Sequence, residues 1–252
     1  NAASSIYHSL QLSMDRRFKS GFAAGAHYTW SSFIDTMSDI FNPSDRGEVA
    51  IAQDSFNPRA DRARSTYDRP HRFSVNAVYE LPFYRSQAGA LGRFLGGWQV
   101  GGFLTLQSGT PFGALNGSDP AGVLSGIAGL IGDAVRPNLN TTLPIGSMTI
   151  QELRNAGGAS LFSTITVAER IGNLGRNVLR ADGIGNVDLS VSKSTLLFAE
   201  RHKLQFRADF FNLTNTRNYG IPEARITNPG FLDEGSTDGG NRRIFFGLKY
   251  SF

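Results

Sequence analysis

Residues 242–252 read RRIFFGLKYSF, and the reading of this stretch decides the fold. Ile244, Phe246, Leu248, Tyr250 and Phe252 are apolar or aromatic and spaced by two. Arg243, Gly247, Lys249 and Ser251 fall between them, and only Phe245 breaks the polar row. Successive side chains of a strand point to opposite faces, so this alternation describes a strand with one apolar and one wet face. The edge strand of a soluble sandwich shows the same pattern. The rest of the chain has to choose between the two settings.

Working back from this stretch, the same period recurs six times. Leu204, Phe206, Ala208 and Phe210 oppose Lys203, Gln205, Arg207 and Asp209. Over 186–197, Val187, Leu189 and Val191 oppose Asn186, Asp188, Ser190 and Ser192. Lys193 interrupts that apolar row, as a basic side chain that can snorkel near a strand end. Residues 98–107 set Trp98, Val100, Leu104 and Leu106 on one side, with Gly102 in the same row. Residues 71–81 set Phe73, Val75, Ala77, Tyr79 and Leu81 against Arg72, Ser74, Asn76 and Glu80. The runs 5–15 and 22–31 alternate too, and read as a hairpin about a short basic turn at 16–21.

Seven strands leave six connections: 16–21, 36–70, 82–97, 109–185, 198–201 and 212–241. They run short, long, short, long, short, long. Antiparallel strands place alternate connections at opposite ends, so all short turns share one end and all long loops the other. A soluble sandwich has no reason to segregate loop length in this way. An outer-membrane barrel does, with short periplasmic turns and long external loops. Strands near ten residues also suit a tilted membrane crossing.

Composition agrees. The chain has 252 residues, enough for one large domain, yet only 18% are charged while 19 are Phe. Mean hydropathy is −0.21, and the longest nearly apolar window, 123–135, is too short to cross a bilayer as a helix. Trp98, Phe198 and Phe252, with Phe18 and Phe83 just beyond their strands, gather at the short-turn end. Tyr28, Trp30 and Phe210 sit toward the long loops, so two aromatic girdles flank an aliphatic band. The polar rows carry Arg72, Glu80, Asp188, Lys203, Arg207, Asp209, Arg243 and Lys249. A dry core would not hold so many charges, because each buried unpaired ion costs several kcal/mol. These eight are the expected lumen-facing residues.

The expected fold is therefore all-β. It is a segment of an antiparallel transmembrane barrel in the bacterial outer membrane, about seven up-and-down strands of a larger one. Residues 1–252 form a single partial domain, with its true start upstream, since Asn1 is followed by no basic and apolar leader. Within 109–185 one short helix is expected at 150–155, opened by a capping box of Thr149 and Glu152.

From residue 172 onward the motifs become specific. They are Gly172-Asn173-Leu174-Gly175-Arg176-Asn177, Asn186-Val187-Asp188-Leu189-Ser190 and Phe210-Phe211-Asn212-Leu213-Thr214-Asn215, followed by the aromatic C-terminus. This pattern resembles the last strands of TonB-dependent receptors, most nearly the Oar-like group with its N-terminal carboxypeptidase-regulatory-like domain. Where such receptors often carry a Gly-Pro-Gly turn, this chain has Ala181-Asp182-Gly183. The resemblance implies a 22-stranded barrel, an N-terminal plug absent from these residues, and uptake energised through TonB by way of that plug. It also implies that Ile244, Phe246, Leu248, Tyr250 and Phe252 form the signal read by the barrel insertion machinery.

The remaining chemistry is sparse. Without cysteine there are no disulfides or thiolate metal sites. The net charge of +4 is scattered, with no basic stripe for nucleic acid. Four histidines (His8, His27, His71 and His202) show no metal-ligand spacing and no partnered carboxylate motif. Residues 233–241 are acidic and Gly-rich but lack EF-hand spacing. No nucleophile, phosphate or dinucleotide motif occurs, so no catalytic site, metal or cofactor is expected. The expected partners are outer-membrane lipid, the insertion machinery, TonB and an external solute or peptide bound by the long loops. The alternative is a structural or adhesive barrel that transports nothing.

Overall fold

The computed structural model describes residues 3–38, 53–54, 56–120, 122, 135–197, 202–235, 237 and 240–252. Seven long strands form the sheet: β1 (Ser5–Lys19), β2 (Phe22–Asp35), β3 (His71–Glu80), β4 (Trp98–Gln107), β5 (Ile184–Leu197), β6 (His202–Phe211) and β7 (Arg243–Ser251). They lie side by side in chain order, each antiparallel to the next. The two-residue strand Ala63–Arg64 adds a short rung to the outer end of β2. Among the described residues, β1 and β7 are open edges. No described helix is long and apolar enough to cross a membrane.

The register aligns the apolar rows from strand to strand. Met14, Ala26, Val75, Leu104 and Val187 fall opposite one another across five strands. Leu189, Phe210 and Ile244 continue the same face across the last three. A slip of one residue in any pair would move a whole apolar row to the polar side. Among the described residues, much of the apolar face is uncovered: Met14 is 75% exposed and Leu248 72%. Its ends carry ring pairs, Tyr28 stacked on His71 near the long loops and Tyr250 stacked on His202 near the short turns. Each tyrosine hydroxyl lies within hydrogen-bond distance of its histidine Nδ1, at 2.8 and 2.5 Å.

Strand ends differ from the sequence reading. The turn expected at 16–21 shrinks to Ser20 and Gly21, both at positive φ, and β1 runs on to Lys19 through an irregularity after Arg16. The tight pair with both residues left-handed matches the twist of its strands, so pairing continues where basic side chains suggested a turn. β2 extends past Ser31 to Asp35, and β5 begins at Ile184. The connection 82–97 holds an unanticipated helix, α1 (Gly89–Leu95). The expected helix is present as α2 (Ile150–Asn155), its Thr149 and Glu152 exchanging both capping bonds. Phe198 and the turn 198–201 lie outside the described residues, as do all of the window 123–135 except Val135.

The hydrophobic core lies in the loops. Phe112, Leu115, Val135, Ile150, Leu153, Leu161, Phe162, Leu174 and Leu179 are buried together with Ala224, Phe231 and Leu232. Two further rungs, Pro111–Phe112 with Leu179–Arg180 and Asn138–Leu139 with Phe162–Ser163, tie the long loop to itself and not to the main sheet. Phe162 meets Phe231 edge-on at 5.7 Å, joining the loop 108–183 to the loop 212–242. These loops build a packed cap at one end of the sheet.

Candidate functional site

The cap is fastened to β2 and to the segment before β3 by arginines from the long loop. The buried Arg176 pairs with the carboxylate of Asp35, the last residue of β2, and donates to the Asp61 and Asp35 carbonyls and to Ser38 Oγ. Arg136 pairs with Asp61 at 2.6 Å and donates to the Leu174 carbonyl. Burial lowers the Arg136 pKa, an effect the Asp61 charge opposes. Arg180 pairs with Asp68 at 2.7 Å and also reaches the Gly109 carbonyl. Gln53 stitches the same seam: its side-chain carbonyl accepts from the Arg136 N–H, and its side-chain amide donates to the Gly172 carbonyl. With each charge matched and each guanidinium hydrogen-bonded, burial is tolerable.

The motif residues that carried the resemblance are structural joints here. Asn173 accepts from the Leu139 N–H, and Asn177, at positive φ, donates to the Arg64 carbonyl. Asp188 accepts from the Asn212 N–H where β6 ends, and from the Asn186 amide. Asn212, also at positive φ, closes a turn with both backbone groups of Thr216. The chain thus leaves β6 through a turn hydrogen-bonded to β5.

Elsewhere in the cap, Arg154 of α2 pairs with Glu234 at 3.3 Å and donates to the Leu232 carbonyl. Burial and the neighbouring Asp182 carboxylate raise the Glu234 pKa, more than Arg154 lowers it. Glu223 is the reverse case: hydrogen bonds from Arg225 hold its carboxyl below the usual range. A cleft of about 630 Å³ opens between β2 and the cap, bordered by Trp30, Ile34, Arg64, Met148, Arg180 and Asp182. It offers both charge signs beside apolar walls, a lining suited to a mixed polar ligand. Residues 236, 238 and 239 lie outside the described residues, and with them part of the acidic 233–241 stretch.

The register places all eight anticipated polar residues on one face. Arg72 falls opposite Gln107, Glu80 opposite Gln99, Asp188 opposite Phe103, and Lys203 opposite Leu196. Arg207 and Asp209 fall opposite Gly247 and Phe245, Arg243 opposite Phe211, and Lys249 opposite Gln205. Two groups of them converge. Arg207 and Asp209 pair at 2.8 Å and border, with Asp188 and Asn76, a groove of about 330 Å³ above Gly101. Glu80 and Lys203 border a second, of about 300 Å³, with Arg85 and Gln205. Arg72, Arg243 and Lys249 border neither groove. Phe245, the odd residue of the polar row, meets Phe211 edge-on at 5.8 Å. Of the C-terminal residues, Ile244, Phe246, Leu248 and Tyr250 lie on the apolar face and Phe252 follows the last strand residue.

Sequence reasoning missed one polar-face contact. His27 lies 3.7 Å from Asp15 and 3.2 Å from Ser13 Oγ, across the β1–β2 pair and near Asn76. The partnered carboxylate is fifteenth and the histidine twenty-seventh in the chain, a spacing that becomes a contact only once the hairpin register is known.

The family model described as the outer membrane beta barrel domain matches residues 1–244. The chain belongs to this family. It is an outer-membrane β-barrel protein of the bacterial outer membrane. No curated protein and no solved structure gives a significant match. In an outer-membrane barrel the apolar side of each strand meets lipid and the polar side faces the interior. The exposed apolar belt, which would be unstable in water, is then an ordinary lipid surface.

Proposed function

We propose that this outer-membrane barrel serves a receptor that captures an external solute or peptide in its cap. In the full-length protein, a plug and TonB would energise uptake, as in the Oar-like TonB-dependent receptors the chain resembles. One observation carries the reading. At one end of the sheet, three loops condense into a cored, charge-clamped platform with a cleft, while the other end carries only short connections. A barrel serving only as a membrane scaffold has no use for a rigid, one-sided platform. Rigid elements hold ligand-contacting groups in place better than free loops do. Arg72, Glu80, Asp188, Lys203, Arg207, Asp209, Arg243 and Lys249 then face the lumen, and the cap faces outward.

The test uses the full-length protein in intact cells. Site-specific crosslinking to TonB should succeed, and deleting residues 140–165 should abolish ligand-dependent uptake while membrane levels persist. Normal membrane levels with no TonB crosslink would favour the structural or adhesive barrel and sink the transport reading.

A further inference from the structure

The short-turn end carries one built feature that the receptor reading does not use. Helix α1 sits in the connection between β3 and β4, and it is seated on the apolar side of the sheet. Lys193 and Trp98 lie opposite each other in the apolar rows of β5 and β4. The Lys193 ammonium donates to the Arg93 and Gly96 carbonyls at 2.8 and 2.7 Å, closing the C-terminal end of α1. It also lies 5.1 Å above the Trp98 ring, and the Trp98 indole N–H donates to the Phe94 carbonyl at 3.3 Å. Gln87 completes the seat, donating to the Ser194 carbonyl and accepting from the Leu196 N–H. Gly97, at positive φ, lets the backbone approach Ser194 where a Cβ would lie 2.1 Å from its carbonyl oxygen. The lysine that breaks the apolar row therefore has a partner: it holds a helix against the rim of the apolar belt.

Among the described residues, nothing packs on the other side of α1. Leu91, Phe94 and Leu95 are spaced i, i+3, i+4 and form one apolar stripe. Leu91 is 61% exposed and Phe94 70%, and Phe83 and Tyr84 just before the helix are exposed as well. The stripe continues the apolar face through Trp98, so the lipid surface of the barrel and the helix surface are one patch. Cationic side chains gather at the same end: Arg17 and Lys19 precede the β1–β2 turn, and Arg93 is exposed on α1. An apolar stripe with basic neighbours at the edge of a bilayer is the pattern of a helix lying in the interface.

We propose that α1 is an interfacial foot. Leu91, Phe94 and Leu95 enter the lipid leaflet at the short-turn end, Lys193 and Trp98 fix the helix to the barrel wall, and the basic side chains meet anionic phospholipid headgroups. The foot extends the lipid contact beyond the strands and sets how deep this rim of the barrel sits.

The full-length protein, in a background without other cysteines, is labelled with the fluorophore NBD at Leu91→Cys, Phe94→Cys or, as a control in the cap, Thr141→Cys. It is reconstituted in phosphatidylethanolamine and phosphatidylglycerol vesicles carrying lipids spin-labelled at shallow or deep acyl positions. Labels at 91 and 94 should emit blue-shifted, be quenched more by shallow than by deep spin labels, and resist aqueous iodide. Such a pattern matches a helix about 5–10 Å into the headgroup and acyl boundary. The label at 141 should show the reverse. Iodide quenching at 91 and 94 equal to that at 141 would mean the stripe faces water. Shielding from both quenchers would mean a protein covers it, and either result overturns the proposal. In a second variant, Lys193→Gln should lower lipid quenching at position 94, and unchanged quenching would overturn the assignment of Lys193 as the seat of the helix.

Discussion

The sheet and the cap solve opposite problems with the same residue types. In the sheet, large side chains such as Met14, Phe246 and Leu248 point outward and touch little protein, while a backbone ladder joins each strand to its neighbours. In the cap, Phe112, Leu153 and Leu179 are fully buried and pairs such as Arg176–Asp35 are sealed with them. The difference follows from the solvent each meets. Lipid rewards an exposed apolar row but tolerates no unpaired amide. Water requires apolar groups inside and accepts irregular backbone on the surface. One chain thus carries a region whose hydrophobic stabilisation comes from the bilayer and a region whose stabilisation comes from its own core.

The edges give the largest effect. Among the described residues, β1 and β7 each present a row of unpaired backbone groups, and each such group facing hydrocarbon costs several kcal/mol. Refolded alone in detergent, residues 1–252 should aggregate or pair edge to edge. A heat-modifiable, protease-resistant monomer would show a closed barrel and break the contrast at its root.

Next comes the seam. Arg176→Ala strands Asp35 as a buried charge, and breaking such a pair costs about 3–5 kcal/mol. Hydrogen exchange on the full-length protein in detergent should show the cap losing protection while β3 to β6 keep theirs. Equal loss in both regions would mean that cap and sheet are a single cooperative unit.

Smaller again is a charge placed on β7. Leu248→Asp faces the apolar side and Gly247→Asp the polar side. The first is expected to lower outer-membrane levels, with a cost that stays below the roughly 2–4 kcal/mol of a basic residue at mid-membrane. The second should leave levels near wild type. Matching losses would overturn the assignment of faces.

The least effect is the pH response of the cap. The raised Glu234 pKa means its contribution to stability is full below 4.5 and lost as pH rises through the folded value. Glu223 is the opposite: its lowered pKa gives a contribution present above 4.5 that is lost as pH falls through the folded value. Glu234→Gln should therefore remove the decline on the neutral side while the acid-side loss from Glu223 remains. Thermal denaturation of the cap across pH 3–8 measures both arms, and an unchanged neutral side would sharpen the role of Arg154 over that of Asp182.

Sequence alone was enough for every feature that depends on a local period. Seven strands, their faces, the helix at α2 and the one-sided loop lengths are all written in neighbours two, three or four residues apart, because strand pleat and helix capping are local geometry. The eight polar residues fall on one face for the same reason. Tertiary structure alone decided what lies far apart in the chain. Arg136 meets Asp61 and Arg176 meets Asp35 across long connections that have no period to read. Their only trace is that the loops 36–70 and 109–185 both carry acids and bases. Helix α1, with glycines at 89 and 92, has weak intrinsic preference, and it exists where Lys193, 100 residues beyond Arg93, and Trp98, 4 residues beyond Phe94, bind the carbonyls of those two residues. Local chemistry sets which way a side chain points, and only the tertiary fold decides which other side chain it meets.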